Sequence, residues 1–222
     1  MIKVDLHVHT YHSPDSLATP DDVHRWARRH AIDVVAITDH GTIGAAVEMH
    51  RRWPTAVIVG EEVKTERGEI IGLFLHEEVP AGLSPGETIH CIREQGGVVY
   101  VPHPMDRVRG SALAYEALLE VVDQVDVVEV FNARVTLATD NRLAADFASL
   151  YGLAQGAGSD AHYPPEVGRA YVEMLPFLTP QDFLYAIQGA SVHGRMASPF
   201  VHLSSTYARV AKSVMAALSL AR

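Results

Sequence analysis

Apolar positions along the chain switch between two periods. Runs with the alternation or unbroken apolar character of strands cover residues 2–8 (IKVDLHV), 33–38 (DVVAIT), 56–63 (AVIVGEEV), 69–75 (EIIGLFL), 98–104 (VVYVPHP), 125–131 (VDVVEVF) and 153–162 (LAQGAGSDAH). Between and after them, residues 19–31, 42–53, 84–97, 115–124, 138–152 and 179–189 carry helical spacing, and 204–221 (SSTYARVAKSVMAALSLA) predicts a closing helix. Thr19 before Pro20 and Ser84 before Pro85 are helix starts, Gly96-Gly97 is a helix stop, and Glu66-Arg67-Gly68 is a turn that splits two adjacent strands.

Strand and helix thus alternate in units of about 25 to 35 residues, which predicts a parallel sheet with crossover helices. No G-x-G-x-x-G follows the first strand and no P-loop occurs, so the sequence favours a small closed barrel over an open nucleotide-binding sheet. One domain over residues 1–222 is expected, with helix 204–221 packing on the barrel or in an oligomer contact and a hinge at 197–199. The oligomeric state is left open by the sequence.

Composition narrows the function. The 222 residues carry 27 acids against 18 lysines and arginines, a formal charge of −9, and no basic run longer than two, so neither duplex nucleic acid nor an anionic membrane is an expected partner. A small anionic substrate would need a local basic site. The single cysteine, Cys91, excludes a disulfide framework and a multi-thiolate zinc site. With no signal-peptide plan and no apolar stretch of membrane-spanning length, a cytoplasmic protein is expected.

Histidine is the unusual count, at thirteen. Eight lie where surface or core roles suffice; the other five sit with acids at the C-terminal ends of predicted strands. These ends hold His7 and His9; Asp39 and His40; Glu61 and Glu62; His103; Glu129 and Asn132; and Asp160 and His162. In a parallel barrel such ends meet on one rim, and residues i and i+2 of a strand face the same side. One H-x-H is weak evidence; the repeated placement of ligand types at strand ends is not.

In order, DLHVHTYHSPDS, AITDHGT, GEEVKT, VPHP and GSDAH resemble the motifs of the polymerase and histidinol phosphatase (PHP) superfamily of metal-dependent phosphoesterases, from residue 3 to about residue 170. The resemblance implies a distorted TIM-like barrel of seven βα units with two or three divalent ions at the C-terminal rim. It implies that His7, His9, Glu62 and Asp160 hold the first ion, that Glu62 bridges to a second shared with His103, and that Asp15, His40 and His162 hold a third. The family's further histidine after the strand VVEVFNARV has no counterpart here, and Glu129 or Asn132 is its expected substitute.

Nitrogen and carboxylate ligands without thiolate suit manganese, zinc or iron. Ions about 3.5 to 4 Å apart share a hydroxide that attacks phosphorus in line; Glu62, Asp160, His40 and His162 would act through it. Asp39 is expected to orient a ligand imidazole or to cap the following turn. Arg107, Arg109, Arg134 and Arg169, with Arg134 and Arg107 foremost, are the candidate phosphate clamps. The expected reaction is hydrolysis of a phosphomonoester or phosphodiester in a small phosphorylated metabolite, a nucleotide or a short oligonucleotide end. An amidohydrolase or TatD-like metal-dependent deoxyribonuclease, which also begin with H-x-H, and a non-catalytic metal-binding scaffold are the alternatives.

Overall fold

The computed structural model describes residues 1–198 and 201–220. Its strands are β1 (Ile2–Val8), β2 (Val34–Ile37), β3 (Val57–Thr65), β4 (Gly68–Leu73), β5 (Val98–Val101), β6 (Val127–Asn132), β7 (Ala154–Gly158), β8 (Ala170–Met174) and β9 (Ser191–Gly194). The helices are α1 (Pro20–Arg29), α2 (Gly44–Arg52), α3 (Pro85–Glu94), α4 (Tyr115–Val121), α5 (Ala138–Tyr151), α6 (Pro180–Ile187) and α7 (Val201–Leu220). Thr19 caps α1 by accepting from Asp22 N, and Ser84 and Glu87 form a reciprocal capping box on α3. These are the helix starts read from the sequence.

The strands form one sheet in the order β7-β6-β5-β4-β3-β2-β1-β8-β9. It curls until the end of β7 meets β1: Asp160 N donates to His7 O at 2.7 Å, His9 N donates to Ala161 O at 2.9 Å, and Val8 bridges Ala161 in parallel. The result is a nearly closed barrel, as expected, but not one of seven successive βα units. β4 folds back on β3 through the Glu66-Arg67 turn and runs antiparallel to both β3 and β5, and β8 and β9, connected through α6, add an antiparallel pair beside β1. β1, β2, β3, β5, β6 and β7 share one direction. β8 and β9 escaped the sequence reading; SVHG is largely exposed and not apolar.

Alternation along each strand divides the core. Leu6, Ile58, Ile71, Leu73, Tyr100 and Val127 belong to an interior cluster closed from below by Phe183 and Ile187 of α6, whereas Val63, Ile70, Val99 and Val128 pack outward under α3, α4 and α5. β1 changes phase: its pairing with β2 slips between Asp5 and Val8, so Leu6 lies in the interior cluster while Val8 joins the group beneath α1 and α2. His7 and His9 consequently turn to the mouth of the barrel.

The expected closing helix is present from Val201, three residues before the predicted start. Ala221 and the hinge residue Pro199 lie outside the described residues, as do the side chains of Ala217 and Leu218. Val210 and Val214 point outward, 58% and 52% exposed. No described helix is long and apolar enough to cross a membrane.

Candidate functional site

The strand ends bring the expected residues together. His7 Nε2 and His9 Nε2 lie 3.0 Å apart, and both face Glu62 Oε2, at 3.4 and 3.3 Å, and Asp160 Oδ1, at 3.7 and 3.4 Å. The other oxygen of Glu62 is 3.2 Å from His103 Nε2, and His40 Nδ1 is 3.2 Å from Glu62 Oε2. Asp15 Oδ1 joins His162 Nε2 at 3.2 Å and His40 Nε2 at 3.7 Å. Among the described residues, four overlapping triads could each hold an ion: His7-His9-Asp160, His7-Glu62-His103, His9-His40-His162 and His40-Glu62-Glu69.

Strand alternation explains which acids take part. Glu62 has the phase of Ile58 and faces inward; Glu61 has the phase of Val63, and its Oε2 accepts from Val79 N at 2.8 Å. Glu69 was missed by the sequence reading although the same rule finds it, two residues before interior Ile71 and four before Leu73. Its carboxylate stands 4.0 Å from His40 Nδ1 and 3.9 Å from His103 Nε2. His103 and Asp160 lie beyond the ends of β5 and β7 with φ of 31° and 53°, a backbone region that non-glycine residues occupy at a cost and that recurs at functional sites.

Glu129 and Asn132 support the cluster from behind. Glu129 Oε1 accepts from Tyr100 Oη at 3.0 Å and faces His7 Nδ1 at 3.1 Å, while Oε2 accepts from His103 N at 2.8 Å and Asn132 Nδ2 at 2.9 Å. Both oxygens are therefore committed. Asn132 Oδ1 accepts from Arg134 N at 2.8 Å, and its amide also donates to Asp160 Oδ2 at 3.2 Å. Glu129 thus meets four donors, and Asn132 turns its NH₂ toward Asp160. Asp39 accepts from Thr10 N, Thr10 Oγ1 and Ser13 Oγ, and Ser13 Oγ lies 3.0 Å from His9 Nδ1, so Asp39 orients an imidazole through a hydroxyl. The imidazole is His9 rather than the adjacent His40.

The electrostatics reflect buried charges of both signs. Burial disfavours charge on His9, but Asp160 and Glu62 outweigh it and push its pKa up to about 9; His7 is likewise held above the usual imidazole range despite burial, chiefly by Glu129 and Asp160. Burial, assisted by His9, takes His162 down to about 4. Asp160 and Glu62 are held low against their burial, the first mainly by Arg109 and His7 and the second by His7 and His40. Burial and the charge of Glu62 raise Glu69 to about 8.

A cavity of about 670 Å³ opens over the cluster, lined by Asp15, His40, Glu62, Glu69 and His162 and by the cations Lys64, Arg109, Arg134 and Arg209. Arg109 Nη2 is 2.6 Å from Asp160 Oδ2. Arg134 is 3% exposed, and its Nη2 donates to Val201 O and Ser205 Oγ, each at 2.8 Å, anchoring α7. Arg107 does not line this cavity; it pairs with Asp140 at 2.6 Å. Arg169 lines a separate depression. Arg209 and Lys64 complete the cation set that the sequence reading left unassigned.

An α/β barrel carrying overlapping His and carboxylate triads at its strand ends defines the class of metal-site barrels. A family model described as PHP-associated matches residues 138–192. The chain is 39% identical over 193 residues to the uncharacterized protein MJ0417 of Methanocaldococcus jannaschii, covering 82% of this chain and 78% of that one. Among solved structures, a two-domain Bacteroides vulgatus protein containing a predicted PHP-like metal-dependent phosphoesterase superposes with a TM-score of 0.69 at 16% identity, over 87% of this chain and 65% of its own. The lesion-specific endonuclease EndoQ of Pyrococcus furiosus superposes with a TM-score of 0.65 at 16% identity, over 86% of this chain and 57% of its own. This chain thus shares a family with MJ0417, matches a PHP-associated model over residues 138–192 and has the fold of the PHP-like structures.

Proposed function

We propose that the protein is a metal-dependent phosphoesterase acting on a small phosphorylated molecule, with two or three divalent ions held at the barrel mouth. The observation that carries this reading is a set of buried lone pairs with no hydrogen-bond partner: Glu62 Oε2, Asp160 Oδ1, Asp15 Oδ1 and Glu69 Oε2 all point into the cluster unsatisfied. A buried carboxylate oxygen without a donor costs about 1–3 kcal/mol or more, and two imidazole nitrogens 3.0 Å apart cannot both carry protons there without repulsion. Divalent cations relieve both problems, so the residues fit the group.

His7, His9, Glu62 and Asp160 would hold one ion, Glu62 with His103 a second, and Asp15, His40 and His162 a third, with Glu69 as a further carboxylate within reach of His40 and His103. Nitrogen and oxygen donors of this kind suit manganese, zinc or iron. Such ions supply a nucleophile near neutral pH and charge neutralisation on the phosphoryl oxygens. Lys64, Arg109, Arg134 and Arg209 give the cavity wall a positive side that receives a phosphate dianion and orients it toward the carboxylate cluster. A cavity of about 670 Å³ suits a metabolite or a nucleotide rather than a duplex.

The test is phosphate release from an aryl phosphate and from a panel of phosphorylated metabolites, nucleotides and short oligonucleotides. The wild-type protein should be active with added manganese, zinc or iron and inactive after chelation. His9→Ala and Asp160→Ala should lose activity while keeping a folded far-UV spectrum. Activity that survives chelation, or survives both substitutions, would remove the basis of the assignment. Cleavage of the oligonucleotides alone would favour a nuclease.

A further inference from the structure

We propose a second binding site, independent of the metal cluster, that takes a phosphate group on the outer wall of the barrel between α1, β8 and β9. It is a depression of about 590 Å³ lined by His30, Gly168, Arg169, Tyr171, His193 and Arg195, with no carboxylate in its lining and no lining residue in common with the cavity over the cluster. In a chain of formal charge −9, a concave site walled by two arginines and two histidines without an acid is a local reversal of sign.

The chemistry of its groups suits an oxyanion. Arg169 Nε is buried and has no hydrogen-bond partner, so a strong donor has been withdrawn from water without an acceptor. Its backbone is fixed: Arg169 N donates to Glu166 O at 3.0 Å, Arg195 N donates to Arg169 O at 2.8 Å, and the preceding Gly168 N donates to Asp5 Oδ2 at 2.8 Å. Gly168 has φ of +80°, and a Cβ there would lie 2.7 Å from Ile32 Cγ1, so this approach of the loop to the segment that follows α1 needs glycine. His30 donates through Nδ1 to Val167 O at 2.6 Å, which fixes its ring at the same wall. His193 stacks on Tyr171 with ring centroids 5.1 Å apart, and Glu173 Oε2 lies 3.8 Å from its Nε2.

Lys3 lies over the Tyr171 ring, 5.3 Å from its centroid, and His193 is stacked on that ring as well. That leaves little aromatic surface for a base to stack on. The recognised chemistry is therefore the phosphate group itself, held by arginine forks. Orthophosphate and a phosphoryl group on an organic molecule share that chemistry.

The test uses the full chain stripped of metal by chelation and titrated calorimetrically with inorganic phosphate, then with AMP as an organic phosphate. Saturable phosphate binding should persist in Lys64→Ala, which alters the cavity over the cluster, and should weaken by about tenfold or more in Arg169→Ala and in Arg195→Glu. Arg195 is exposed, so its reversal tests the site even where Arg169→Ala perturbs folding. Stronger binding of AMP than of phosphate assigns the site to organic phosphates; weaker binding assigns it to the free ion. The absence of saturable binding, or binding lost in Lys64→Ala and retained in Arg195→Glu, overturns the proposal.

Discussion

Glu129→Gln isolates the support of the cluster from the cluster itself. The carboxylate meets four groups: Tyr100 Oη and His7 Nδ1 at Oε1, and His103 N and Asn132 Nδ2 at Oε2. A glutamine amide can serve only one pair as acceptor. The backbone N–H of His103 cannot reverse, so the amide oxygen stays on that side and the new NH₂ faces Tyr100 and His7. The tyrosine hydroxyl can turn to accept. His7 can accept only by moving its proton to Nε2, the nitrogen that faces His9, Glu62 and Asp160. A protonated Nε2 is no ligand. Loss of an orienting carboxylate typically lowers metal affinity about 10- to 100-fold, or about 1.4 to 2.8 kcal/mol. The metal-free fold should lose only about 1 kcal/mol, because the re-paired network leaves few donors stranded, and melt about 2–4 °C lower. Chelator competition with manganese or zinc, read beside calorimetric melts of the metal-free proteins, separates the two effects. A variant that competes as wild type would refute the tautomer argument. One that loses affinity only in proportion to a large drop in melting temperature would do the same.

Gly158→Ala should damage both fold and site, because its Cβ would lie 2.2 Å from His7 Cβ and 2.6 Å from Glu129 Oε1. A clash against a backbone-anchored atom cannot be relieved by a rotamer. Calorimetry should show a loss of about 2–3 kcal/mol, and an unchanged melting temperature would mean that β7 and β1 are less closely apposed than described. Arg107→Ala should lower stability by at most about 1 kcal/mol at neutral pH and leave phosphate release intact. Burial alone would raise Asp140, but the Arg107 guanidinium outweighs it and holds the carboxyl below its ordinary range. A depressed folded pKa stabilises above the unfolded value, about 3.9, and that contribution disappears as pH falls through the folded value. Urea melts of wild type and variant should therefore differ at pH 7 and converge in acid; a gap that widens as pH falls would reverse the assignment.

The inward-facing ligand types were legible because they sit where strands end, and strand ends are marked by the change from apolar runs to polar motifs. His7 and His9 needed only the i, i+2 rule; Glu62 over Glu61 came from the resemblance to the family's motif, and the phase of interior Ile58 in the structure agrees with it. What stayed hidden depended on chain direction and on distant partners. Nothing in EIIGLFL states that the strand runs backward, so Glu69, at the start of an antiparallel strand, was not sought on a rim reserved for C-terminal ends. Distant partners also hid where the long arginine side chains end: Arg109 and Arg134 do line the cavity, whereas Arg107 does not. Arg107 and Arg134 follow rim residues closely, but Asp140 claims the first and the backbone of α7 the second, and sequence proximity to a ligand does not predict where a long side chain ends.

The use of Arg134 changes how the cavity must work. By donating to Val201 O and Ser205 Oγ it fixes the start of α7 beside the mouth of the barrel. Farther along the helix Lys212 reaches the carbonyls of Tyr11 and Ser13, and Arg209 Nη2 lies 3.7 Å from Asp15 Oδ2. One wall of the cavity thus belongs to the last helix, and Arg209, 62% exposed, sits on its outer lip. The buried carboxylates lie beneath, so charge is graded from positive at the lip to negative at the floor. An anion at the lip meets the exposed side chains of Lys64 and Arg209, and without cations on the floor it would be repelled there. On the proposed phosphoesterase reading, the lip would attract a phosphate unaided and only a metal-loaded floor would hold it, so substrate binding as well as hydrolysis should be sensitive to chelation.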